Sequence, residues 1–416
     1  MLISTLHLLH SSEAATRSMP YYVHLNYANL FKIQHVRNAF PLKPVSFSRL
    51  VSYLECPGCA LDQKPARRKK EPRHFTNIHQ TALFGGRQPD PRLVGTLLHQ
   101  IINLLHDNRG PLAEEQRSTL LACPDALADF LRSDVLKALQ LAEKLKLAIF
   151  FDELSAYKNT LQRSVIEPLL RYQQELVLSG AKVFAISERF QFKLLSTSKT
   201  FAGHNDWGGE VAIVGEFDQI RLRNVGSELA PGGTPAIIEF KTGLGKKKIW
   251  DTLDLALEDG DTDDVSDGLL QPGMAHALQL AIYWMAFQTR WDLLEYVQLV
   301  KGRGEDVPMS LDQNLDLILY NLQDGCQYQL MFADQSRALL ALTNCIFYLN
   351  WAMKSGYALQ VPDHECSKTT LLAEVPQRIV QVGYEAISAE KCYELAKEAF
   401  LVFKDLVSWK KLDAST

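Results

Sequence analysis

Near residue 181 the hydrophobic period of the chain changes, and that change limits what it can fold into. Upstream, "RLVGTLLHQIINLLHDNRG" carries apolar residues at helical spacing, and three or four further amphipathic segments follow through Gly180. Downstream, "KVFAISERFQFKLL", "EVAIVGEFDQIRLRN" and "TPAIIEFKT" are rich in β-branched and aromatic residues and are separated by Gly-rich or polar connections. They read as consecutive strands of a meander. The helix "MAHALQLAIYWMAFQTRW" comes next, then strands at "EYVQLV", "LDLILYNL" and "CQYQLMF", the last two joined by the hairpin signal Gln323-Asp324-Gly325. Two helical stretches, around 334–355 and 388–410, complete the chain. Helices, then strands, then one helix and more strands predict an α+β or mixed α/β core flanked by helices.

With 416 residues, 47% of them hydrophobic, the chain can bury a sizeable core as one decorated unit. Its net charge of -4 exerts no global pull on a polyanion, so nucleic-acid contact has to come from local basic patches. Two are present: a loop with Lys64, Arg67, Arg68, Lys69, Lys70 and Arg73, and the run Lys246, Lys247, Lys248. Either also reads as an ordinary solvated charge run. The seven cysteines are scattered and odd in number, which fits a reducing, cytoplasmic setting. No apolar run approaches the ~18–20 residues that span a membrane, and the N-terminus lacks the basic segment of a signal peptide. "TGLGKKK" is not a phosphate loop, because Phe240 stands where the first glycine belongs and Lys247 where a Ser/Thr belongs. "EDGDTDDVSDG" is not a calcium loop, with Asp264 at the glycine position and Leu270 at the final acidic one, and reads as an acidic insertion.

The chemistry concentrates in "AIIEFKTG". Side chains of a strand alternate, so Glu239 and Lys241 share a face and Phe240 takes the other. Asp218, in the preceding strand, is placed for antiparallel adjacency, which would bring two carboxylates together. Asp218, Glu239 and the Phe240 carbonyl form an oxygen set suited to a hard divalent cation. Lys241 beside it would attend the attacking water or the charge developing on a phosphate. By spacing alone, such a pattern arises often by chance, and a salt-bridged strand end is the favoured reading of the same residues.

The flanking order bears on that choice. G-T-x-x-H ending at His99, S-E-x-x-F with Glu188, G-x-x-D ending at Asp218, E-x-K-T-G from Glu239, and Q-x-x-x-Y with Gln279 and Tyr283 occur in series, preceded by "SFSRLVSYLECP". This series resembles the RecB-like branch of the PD-(D/E)XK nuclease superfamily. The resemblance implies a restriction-endonuclease-like core, a mixed four-stranded sheet with helices on both faces, spanning 46–366. It would carry a helical insertion at about 111–180 and an acidic insertion at about 244–273, between an N-terminal extension at 1–45 and a C-terminal helical segment at 367–416. It further implies Mg²⁺- or Mn²⁺-dependent cleavage of DNA, with His99, Asp218, Glu239 and the Phe240 carbonyl as metal ligands. Lys241 takes the catalytic lysine role, while Gln279 and Tyr283 order the site or contact nucleic acid. Glu188 is expected to orient the lysine or to form a strand-start salt bridge. The competing reading is an inactive DNA-binding or scaffold module of the same fold. Asn103 stands where relatives often have a glutamate one turn after the histidine. Some relatives hold an iron–sulfur cluster; here Cys56 and Cys366 match two of its ligands, but Thr369 occupies a third and Cys392 is too distant, which argues against a cluster. The chain carries no helicase motor, so strand separation, where needed, would come from a separate helicase or a repair or defence complex.

Overall fold

The computed structural model describes residues 44–55, 91–195, 210–223, 234–243, 272–287, 315–355, 380–382, 385–387 and 389–412. In chain order the elements are β1 (Val45–Ser46), α1 (Phe47–Glu55), α2 (Pro91–His106), α3 (Glu114–Ala122), α4 (Pro124–Ser133), α5 (Val135–Leu141), α6 (Leu145–Ser155) and α7 (Lys158–Leu161). A π-helical turn leads into α8 (Glu167–Leu178), followed by β2 (Lys182–Leu195), β3 (Glu210–Arg223), β4 (Thr234–Lys241) and α9 (Met274–Phe287). Then come β5 (Asp316–Asn321), β6 (Gln327–Phe332), α10 (Gln335–Ser355), β7 (Val380–Val382), β8 (Glu385–Ile387), α11 (Ala389–Asp405) and β9 (Val407–Leu412). The first helix starts where Ser46 caps it, its Oγ accepting from the Arg49 N–H at 3.3 Å.

The central sheet is mixed, with helices on both faces. β2 pairs antiparallel along nearly all of β3, β3 with β4 antiparallel, β4 with β5 parallel, and β5–β6–β9 antiparallel. Among the described residues the sheet has seven strands where four were expected. One reason lies at the C-terminal end. The last helix stops at Asp405, and Val407–Leu412 joins β6 as an edge strand, so a segment expected to be helical to residue 410 belongs to the sheet. The expected hairpin is present, with Gly325 at φ +77° closing the turn between β5 and β6.

Each face of the sheet buries its own apolar cluster. α1, α9, α10 and α11 cover one face; α9 is buried on all sides, the condition of a helix that is apolar all round. α2 to α8 cover the other face, packing Leu97, Ile101, Leu131, Phe150 and Tyr172 against Ile238, Phe240 and Tyr320. The region expected as a helical insertion therefore forms one wall of the core.

The register of β3 creates a gap. β2 occupies one edge throughout, while on the other edge β4 pairs only from Gln219 to Arg223 and β1 only at Ile213 and Val214. Between those pairings, residues 215–218 have no ladder partner on that edge among the described residues. The sheet splits at Asp218.

Candidate active site

At the split, the carboxylate of Asp218 replaces the missing ladder. Its Oδ2 accepts the Phe240 N–H at 2.9 Å, just past the last β3–β4 pair. Alternation on β4 then separates its residues as expected. Phe240 is buried against Tyr172 and Tyr320 on one face, while Glu239 meets Tyr283, from α9, on the other. Lys241 donates to Glu239 Oε1, and Tyr283 Oη donates to Glu239 Oε2 at 3.0 Å. Gln279 Nε2, one helical turn away, donates to Tyr283 Oη at 2.7 Å. Both supporting residues thus order Glu239 through its second oxygen.

His99 arrives from the opposite face on α2. Its ring packs edge-on against Phe240 at 5.8 Å, and its Nδ1 lies 3.6 Å from Asp218 Oδ1, too far for a hydrogen bond. The helix can come this close because residue 95 is glycine: a Cβ there would stand 3.0 Å from Thr242 Oγ1 at the end of β4. One turn beyond His99, Asn103 Nδ2 donates to Ser187 Oγ at 2.7 Å. Ser187 lies between the β2 residues that pair with Gln219 and Phe217, hence opposite Asp218, and holds a left-handed φ of +47°. Sequence reasoning missed this clamp, since neither residue type nor an 84-residue separation signals it.

The electrostatics are unbalanced. Burial, followed by the nearby Glu239 charge, raises the Asp218 carboxyl well above the usual range. Burial also pushes Glu239 upward, but the Lys241 ammonium outweighs it and holds that carboxyl below its ordinary value. Lys241 loses to burial less than it gains from Glu239 and Asp218, so its pKa is raised and it stays charged. Burial lowers His99 despite the Glu239 charge, which leaves a neutral imidazole able to act as a ligand.

Two buried carboxylates that repel each other, next to a neutral imidazole, are donors of the kind a divalent cation accepts. Among the described residues, however, no three His, Cys, Asp or Glu side chains stand grouped to hold a metal ion as they are. In this arrangement the Lys241 ammonium occupies Glu239, and Asp218 caps Phe240. Glu188 is half-buried on β2 opposite Phe217; Lys241 is held by Glu239. Lys246, Lys247 and Lys248, the basic loop at 64–73, the acidic insertion, the "EYVQLV" strand, Cys56 and Cys366 lie outside the described residues.

Fold and site together define a mixed α/β protein with two acids and a lysine at a split sheet edge, flanked by a helix-borne histidine. The family model of the PD-(D/E)XK nuclease superfamily matches residues 44–313, and the chain belongs to that superfamily. Members are typically nucleases and generally use Mg²⁺ or Mn²⁺. The matched region ends just before β5, so β5, β6 and β9 extend the sheet beyond it. A search of curated proteins finds no match. Among the described residues, no helix is long and apolar enough to cross a membrane.

Proposed function

We propose that this protein is a metal-dependent deoxyribonuclease of the RecB-like branch that hydrolyses phosphodiester bonds with an activated water. The observation that carries the reading is the convergence at the β3–β4 split of Asp218, Glu239 and Lys241, with His99 beside them. Asp218, Glu239, His99 and the Phe240 carbonyl would hold Mg²⁺ or Mn²⁺. Such an ion supplies Lewis-acid activation of water and of a phosphate oxygen. Lys241, released from Glu239, would face the attacking water and the charge growing on the phosphate. Tyr283, held by Gln279, keeps Glu239 aimed into the site.

DNA is the proposed substrate, with Lys246, Lys247 and Lys248 and the loop at 64–73 as candidate backbone contacts. A separate helicase, or a repair or defence complex, is the proposed source of strand separation, and the proposed setting is cytoplasmic. A second reading, an inactive DNA-binding or scaffold module, is favoured by one observation: Lys241 closes on Glu239. Incubating end-labelled single- and double-stranded DNA with Mg²⁺ or Mn²⁺ separates the two. The nuclease reading requires cleavage by wild type and a loss of about 10²–10³-fold in Lys241→Ala. Equal activity in both, or none in either metal, favours the inactive module.

A further inference from the structure

The end of β4 does not stop at the acidic site. The Leu322 N–H donates to the Lys241 carbonyl at 2.7 Å, and Lys241 sits in register with Asn321, so the β5–β6 hairpin occupies the same end of the sheet. Further across, Tyr328 pairs with Lys411 and Gln327 with Leu412, which brings the end of β9 alongside. Between this hairpin and α8 lies a cavity of about 400 Å³, with Arg171, Glu175, Tyr320, Asp324, Gln327 and Lys411 among its walls. It lies on the His99 face. The His99 ring meets Phe240 at 5.8 Å and Phe240 meets Tyr320 at 5.9 Å, so this wall residue is no more than about 12 Å from the proposed ligand.

The charges of the cavity are not neutralised evenly. Glu175 is tied to Arg221 by hydrogen bonds of 2.7 and 2.8 Å. Asp324 is used within the turn, accepting from Asn321 Nδ2 at 2.7 Å and the Cys326 N–H at 2.8 Å. Arg171 and Lys411 add two cations to the wall, the latter hydrogen-bonded to the Cys326 side chain and with no carboxylate hydrogen bond among the described residues. Arg171 donates one guanidinium nitrogen to the Gln323 carbonyl, while its Nε and the buried Gln327 Oε1 find no partner among the described residues. Gly325 packs beside the Arg171 stem and holds the φ of +77° that the turn requires. The cavity has the size of a small-ligand site, the Arg171 and Lys411 charges on its wall suit a phosphate, and the buried, unpartnered amide oxygen of Gln327 behind that wall would become satisfied if a bound base or its water reached it. A paired nucleotide cannot enter such a cavity, because its base stays in the stack; an unpaired one can.

We propose that this cavity is a subsite for one unpaired nucleotide of the strand being cut, within about four nucleotides of the scissile bond at the ~3.4 Å rise of stacked bases. The substrate is then single-stranded DNA or a single-stranded end. This inference rests on the nuclease reading for the strand's position.

The test measures fluorescence anisotropy of the full-length protein in EDTA with a labelled oligothymidylate of about a dozen nucleotides and a blunt duplex of equal length. Arg171→Met should weaken single-strand binding about tenfold and Lys411→Met about threefold, each lowering the salt slope by about 0.7, with duplex binding changed by less than about twofold. Unaltered single-strand binding in both variants, or equal losses on both substrates, overturns the subsite. Should Arg171→Met fail to fold, the exposed Lys411 decides alone. Cleavage of the same oligonucleotides in Mg²⁺ keeps the two ideas apart. Selective single-strand binding through these residues without cleavage by wild type overturns the nuclease reading and supports the subsite. Cleavage with normal binding in the variants overturns the subsite alone.

Discussion

β3 carries two buried polar clusters a few residues apart, and they are built on opposite terms. In the first, Arg221, fully buried, makes a bidentate pair with Glu175, while Gln219 Nε2 donates to Tyr172 Oη, which is hydrogen-bonded to His106 Nε2, the last two each at 2.7 Å. Its charges cancel and most of its donors meet acceptors, although Gln219 Oε1 and Arg221 Nε find no partner among the described residues. In the second, Asp218 and Glu239 crowd two carboxyl groups onto one lysine, with a neutral histidine near by. A satisfied buried network rigidifies a core, whereas a group pushed far from its ordinary pKa by burial and a like charge marks a place where something else is meant to bind. The same stretch of strand therefore carries a core network at Gln219 and Arg221 and the candidate site at Asp218.

Breaking each cluster should produce opposite phenotypes. The largest effect is expected from Glu239→Gln, which should reduce cleavage of labelled DNA by about 10³-fold or more while thermal unfolding stays cooperative. Next, Glu175→Gln leaves Arg221 buried without a counter-charge and should cost about 3 kcal/mol in denaturant unfolding. Cleavage at saturating substrate should hardly change in the fraction that remains folded.

A comparable effect is expected from pH. Burial, aided by Arg221 and Arg117, lowers His106 to about 4, and its Nε2 is hydrogen-bonded to Tyr172 Oη. In the unfolded chain this histidine titrates near its ordinary value of ~6.5. The folded state therefore binds fewer protons, so the stabilisation is complete above pH ~6.5 and is lost as pH falls towards 4, by about 3 kcal/mol in all. His106→Gln should flatten that part of the stability profile; an unchanged slope would show that other groups produce it. The smallest change is expected for Asn103→Ala, which removes the amide that donates to Ser187 Oγ and should cost about 1 kcal/mol. Its effect on cleavage should be larger on the metal concentration required than on the rate at saturating metal.

The parts of this account legible in the sequence were those set by short-range rules. Alternation placed Glu239 and Lys241 opposite Phe240, and helical spacing placed Gln279 beneath Tyr283. The Asn-Leu-Gln-Asp-Gly turn announced its hairpin. What stayed hidden depends on long-range contacts. The gap on β3 arises because β1 is only two residues long, and nothing in "KPVSFS" says which edge it will join. Gln219 and Arg221 look like the polar face of a half-buried strand; α8, more than forty residues upstream, covers them. Val407–Leu412 follows α11 with no proline or glycine to mark the break, so its strand was read as more helix. The Ser187 conformation is maintained by Asn103, a contact no local pattern encodes.

The difference between the two clusters can be measured by thermal unfolding of wild type and Asp218→Asn in EDTA and across a titration of Mg²⁺ and Mn²⁺. Burial keeps Asp218 protonated above its unfolded pKa, so its carboxyl contributes stability at low pH that is lost as pH rises, and asparagine should remove that cost. The account predicts a variant at least as stable as wild type in EDTA, and a metal-dependent rise in wild-type melting temperature that the variant lacks, since only the folded site binds the ion. A wild type indifferent to both metals, or an Asp218→Asn protein destabilised as severely as Glu175→Gln, would contradict it.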